Sequence, residues 1–99
     1  MKQKILRIRS EAREEIELGF EWYLQRSPKA ADALLVEVDY SLAQIVSHPG
    51  LHPRYTKNTR RCILEKFPYF VVFQERDDAI LVIALAHAKR RFGYWRGRV

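Results

Sequence analysis

A chain of 99 residues has room for one domain, residues 1–99, built on a single hydrophobic core. Hydrophobic residues make up 47% and charged residues 30%, which excludes a disordered chain and a membrane-embedded one; no stretch approaches the roughly 18 apolar residues of a spanning helix. The net charge of +6 is uneven: residues 1–50 carry 7 Lys/Arg against 8 Asp/Glu, and residues 51–99 carry 11 against 4, so the C-terminal half holds the positive field and suits an anionic partner.

Residues 4–9 read as a short strand, with Leu6 and Ile8 on one face and Ile5, Arg7 and Arg9 on the other. Its cations suit a place near a sheet edge. Ser10 reads as a helix N-cap, with Glu11, Glu14 and Glu15 at the positive helix end. Ala12, Ile16, Gly19, Phe20 and Tyr23 recur at three- and four-residue steps, which predicts a helix over 11–25. Trp22 flanks that stripe as a partly exposed contact point. Ser27-Pro28 opens a second helix, a capping hydroxyl followed by Pro at the first helical position. Ala31, Leu34, Leu35, Val38, Leu42, Ile45 and Val46 carry its stripe until His48-Pro49-Gly50 ends it. The short gap folds the two into an antiparallel hairpin that shares one core.

Residues 51–59 read as a polar connection. Residues 61–65 make a short mixed strand, Phe67-Pro68 a turn or bulge, and residues 69–75 a β-branched and aromatic strand. Arg76-Asp77-Asp78 reads as a tight turn. Residues 79–86 are continuously apolar, as in a strand buried on both faces. From Ala88 onward the chain is basic and aromatic. The order βααβββ is an α+β architecture, a helical hairpin packed on a small, largely antiparallel sheet.

One cysteine, Cys62, rules out an internal disulfide and a Cys-based zinc cluster. It reads as a small strand residue. His48 and His52 are separated by a helix break and lack a third ligand, so no metal site is expected, and nothing calls for a cofactor. Met1-Lys2-Gln3-Lys4 leads into a mixed segment without a signal-type apolar run, which with the lone cysteine predicts a cytoplasmic protein.

Several features taken in order resemble the RelE/ParE superfamily of bacterial toxins from type II toxin–antitoxin pairs. They are Trp22-Tyr23, Ser27-Pro28 with Ala30-Ala31, His48-Pro49, Arg60 and Arg61, Phe67-Pro68-Tyr69, and His87-Ala88-Lys89-Arg90-Arg91 followed by Tyr94-Trp95. The resemblance implies a growth inhibitor held in check by a cognate antitoxin that wraps it. It implies one of two targets: DNA gyrase, as for ParE-like members, or mRNA on the ribosome, as for RelE-like endonucleases.

Metal-free RNA cleavage needs a proton acceptor for the 2′-hydroxyl, stabilisation of the phosphorane and a donor for the leaving oxygen. The candidates are Arg61 for the phosphorane, His87 as acid or base, and Tyr94 for stacking on a base. Arg60, Lys89, Arg90 and Arg91 are candidates for nucleic-acid or antitoxin binding. The structural alternatives stand beside these. Arg90 and Arg91 are equally a solvated tail, His87 a hydrogen-bonded structural residue, and Tyr94 and Trp95 aromatics that fold back to close the core. The long second helix and the lack of a decisive acid–base set tilt the balance to a ParE-like gyrase inhibitor. The alternatives are the RelE-like nuclease and an inactive relative that keeps only the antitoxin interface.

Overall fold

The computed structural model describes residues 4–99; the reading of the first three residues lies outside them. Strand β1 (Ile5–Ile8) is followed by helices α1 (Ser10–Leu24) and α2 (Pro28–Ser47), then by strands β2 (Arg54–Thr56), β3 (Thr59–Ile63), β4 (Tyr69–Glu75) and β5 (Ala79–His87). Single 3-10 turns lie at Pro49–Leu51 and Arg96–Arg98. The five strands form one sheet in the order β1-β5-β4-β3-β2. β1 runs parallel to β5 and the other pairings are antiparallel, so the sheet is mixed and largely antiparallel. The α+β class and the helical hairpin match expectation, and the sheet has one strand more. Part of the expected polar connection is β2, held by Arg54 opposite Arg60 and Thr56 opposite Thr59.

Helix α1 begins at Ser10 itself, so Ser10 is not its cap. The main-chain N–H of Arg9 still donates to the Val82 carbonyl of β5 at 3.0 Å, and its own carbonyl accepts from Arg13 N–H at 3.0 Å. Strand therefore passes into helix at Arg9, with no spare residue for a side-chain cap. Helix α2 starts as expected: Ser27 Oγ accepts from Ala30 N–H at 3.2 Å, with Pro28 next.

Helix α2 is the main wall of the core. Ala31, Leu34, Val38, Leu42 and Ile45 are buried, the last four packed with Val71, Phe73, Ile80, Val82 and Leu85 of the sheet. Helix α1 is more open than its stripe suggests: Ala12 and Gly19 are buried, and Ile16, Phe20 and Tyr23 are half-buried. At Gly19 the helix comes close to its neighbours, since a Cβ there would stand 3.3 Å from Leu34 Cδ2 and 3.4 Å from the Tyr69 hydroxyl.

The face of the sheet away from the helices has its own cluster, Val72, Ile83, Ala84, Ala86 and Trp95. A bulge opposite Val72 and Phe73 makes this possible. Val72 pairs with Ala84 but Phe73 pairs with Val82, so Ile83 is the extra residue and turns to the back beside Ala84. Strand β5 is thus buried on both faces, by helices in front and by the C-terminal segment behind. Trp95, 1% exposed, closes the back cluster. The chain returns there through Gly93, whose φ of 78° suits glycine alone; a Cβ would also meet the Arg96 side chain at 2.9 Å.

Candidate functional site

The chemistry-bearing residues gather where β5 outruns β1. Strand β1 pairs with β5 only as far as Val82, so residues 83–87 lack a strand neighbour on that side. Glu15 of α1 and Arg98 of the tail serve the main chain instead. Leu85 N–H donates to Glu15 Oε1 at 3.1 Å, and Arg98 Nη1 donates to the Ile83 carbonyl at 3.1 Å. Arg98 also grips the carboxylate with both nitrogens, at 2.8 Å to Oε1 and 3.2 Å to Oε2. Tyr94 donates its hydroxyl to Oε2 at 2.6 Å. Glu15 and Arg98 are only 14% and 17% exposed at their side chains. This is a charge-assisted clamp that ties the C-terminal segment to helix and sheet together.

Tyr94 is therefore committed. Burial, and then its bond to Glu15, push the phenol far above the usual tyrosine range, so it is a hydrogen-bond donor at physiological pH. Arg90 and Arg98 lie over its ring, at 4.0 and 5.1 Å from the centroid.

Arg61, His87 and Tyr94 border one cavity of about 290 Å³ at the end of the sheet, together with Arg90 and Trp95. Arg61 and His87 reach it from opposite faces. Arg61 aligns with Val72 and Ala84, both of the back cluster. His87 pairs with Tyr69, which packs against the helix-side core. The guanidinium of Arg61 sits 4.3 Å from the Tyr55 ring and 5.2 Å from Phe70. His87 Nδ1 accepts from Lys89 N–H at 3.0 Å, and its ring meets Tyr69 edge-on at 5.1 Å. Arg60 points to the helix side, where its Nη1 donates to the His52 carbonyl at 2.7 Å; it does not join Arg61. Lys89, Arg90 and Arg91 are exposed. Trp22 is 50% exposed, with the Arg26 guanidinium 3.7 Å over its ring. Burial pushes the Cys62 thiol up, away from thiolate chemistry. Among the described residues no three His, Cys, Asp or Glu side chains are grouped to hold a metal ion.

Glu15 escaped the sequence reading, which placed it only as an acid near a helix start. The available signal was position: it lies between the buried Ala12 and Gly19 on the helix, where an acid is rarely left without a partner.

A family profile described as "ParE toxin of type II toxin-antitoxin system, parDE" matches residues 6–92. Among solved structures, a chain described as "Chromosomal ParDE TA system from P. aeruginosa" is similar at a TM-score of 0.76 and 13% sequence identity, over 86% of this chain and 96% of that one. At that identity the likeness speaks for the fold. No curated protein matches the sequence. No helix among the described residues is long and apolar enough to cross a membrane.

Proposed function

The chain belongs to the ParE toxin family of type II toxin–antitoxin systems, and from that premise we propose that it acts as a single toxin domain that binds and inhibits DNA gyrase. The observation that carries this over RNA cleavage is that the candidate groups are already engaged within the protein. Arg61, His87 and Tyr94 border one cavity, but the Tyr94 hydroxyl is held by Glu15, His87 Nδ1 accepts from Lys89 N–H, and the Arg61 guanidinium lies over the Tyr55 and Phe70 rings. In-line attack by a 2′-hydroxyl needs a proton acceptor and a phosphorane contact converging on one phosphate. A binding toxin needs only surface, and the helical hairpin offers Leu18, Trp22, Val36 and Tyr40 as exposed large side chains. The hairpin and the C-terminal segment are the parts assigned to the gyrase contact.

The second partner is a cognate antitoxin. An acidic antitoxin segment that covers Lys89, Arg90 and Arg91 would neutralise the tail, and these three side chains are exposed as such a contact requires. The test is to express the chain without antitoxin and map mRNA ends on translating ribosomes, while scoring DNA damage and filamentation. DNA damage without codon-periodic cuts is expected. Clean A-site cleavage, lost in Arg61→Ala or His87→Ala with the fold retained, would overturn the reading in favour of a ribosome-dependent nuclease.

A further inference from the structure

At the end of the sheet, where the back cluster meets helix α1, the charge imbalance becomes a surface. Tyr55 stacks on Trp95 at 5.3 Å and meets Phe92 edge-on at 5.4 Å, and Tyr94 meets Trp95 edge-on at 5.5 Å. Besides the clamped Arg98, three guanidiniums sit over this cluster of rings: Arg61 at 4.3 Å from Tyr55, Arg90 at 4.0 Å from Tyr94 and Arg96 at 5.0 Å from Phe92. Lys89 and Arg91 flank Arg90 and are exposed.

These five cations share a negative property. Among the described residues, none of their side chains donates an internal hydrogen bond, and none meets a carboxylate within 4.0 Å. Other arginines are engaged: Arg9 and Arg98 with carboxylates, Arg26, Arg54 and Arg60 with carbonyls. Arg7 and Arg13 are also unengaged but stand apart on β1 and α1. Of the four acids of the C-terminal half, Glu75, Asp77 and Asp78 stand at the far end of β4 and β5, and Glu65, in the connection between β3 and β4, makes no ion pair with the cluster.

We propose that this face is a binding site for the phosphate backbone of duplex DNA. A ring under a guanidinium fixes its plane and leaves N–H groups at its edge free, and phosphate oxygens are the acceptors that suit such a fork. Phe92 is 56% exposed, but Tyr55, Phe70 and Tyr94 are half-buried and Trp95 is buried, with arginines over the Tyr55, Phe70 and Tyr94 rings. The face therefore lacks a platform on which successive single-stranded bases could stack. It reads charge, and a duplex offers one negative charge per roughly 1.7 Å of axis. The site does not depend on gyrase as the target, and its test uses no gyrase.

The test is fluorescence anisotropy of the purified full-length chain with a labelled duplex, its single strand and the matching RNA, from about 50 to 200 mM salt. Duplex binding is expected, tighter than to either single strand, with log Kobs falling against log salt at a slope of about −4 to −5 for five phosphate contacts. The triple variant Arg90→Gln, Arg91→Gln, Arg96→Gln should flatten that slope by about 2.7, and Arg7→Gln with Arg13→Gln should leave it unchanged. If the triple variant loses its fold by circular dichroism, Arg91→Gln alone should still take about 0.9 off the slope. Lack of duplex binding at low salt would overturn the proposal. So would a slope indifferent to these residues, or tighter binding to single strands.

Discussion

Glu15→Ala removes the group on which the C-terminal clamp converges. Arg98 loses both carboxylate contacts, Tyr94 loses its acceptor, and the Leu85 N–H loses its partner. An unmatched buried donor costs about 1–3 kcal/mol, and breaking a fully buried ion pair costs about 3–5 kcal/mol. Water reaches part of the Arg98 guanidinium once the carboxylate is gone, so a net loss of about 2–4 kcal/mol is expected. For a domain of this size that lowers Tm by roughly 10–25 °C. Glu15→Gln keeps an acceptor oxygen but not the charge, and should lose about half as much. The assay is thermal unfolding by circular dichroism, with tryptophan emission read in a Trp22→Phe background so that Trp95 alone reports. Red-shifted Trp95 emission below the unfolding transition is expected for Glu15→Ala, as the segment detaches and wets the ring. An unchanged Tm with buried-type Trp95 emission would refute the clamp.

The alkaline limb of stability should depend on Tyr94. Its folded pKa is raised above the unfolded value of about 10, so its contribution is present below that pH and is lost as pH rises toward the folded value. Urea unfolding at pH about 9 and about 11 should show the wild type losing stability, and Tyr94→Phe losing less. Val38, 2% exposed in the middle of α2, should not tolerate Asp; a folded Val38→Asp variant with native Tm would sink the core assignment. Reversing the charge of Lys89, Arg90 and Arg91 should slow antitoxin association and weaken the complex without unfolding the chain. Titration calorimetry at two salt concentrations checks this, and affinity indifferent to both salt and these residues would remove electrostatics from that interface.

The sequence made the helices legible because both have strong stripes and α2 has a Ser-Pro start. It also located Trp95, since a small domain rarely leaves a large aromatic outside its core. Strand β2 was hidden because it has three residues, follows Pro53 and has no apolar alternation. Its existence rests on pairing with β3, including a 2.6 Å contact between the Thr56 and Thr59 hydroxyls. The faces of β5 were hidden for another reason. Strict alternation back from His87 sends Ile83 to the helix side, and the bulge reverses it. The Glu15 clamp joins residues 79 and 83 positions apart, a separation that periodicity does not sense. Arg60 and Arg61 are adjacent in the chain and so face opposite ways on β3, which divides the candidate cations between the two sides of the sheet.

The most direct measurement is a supercoiling assay with purified gyrase, relaxed plasmid and ATP, run with the full-length chain alone and with its antitoxin. Inhibition by the chain alone, relieved when antitoxin is added, is the expected result. Undiminished supercoiling at toxin concentrations that arrest growth in cells would contradict the gyrase assignment.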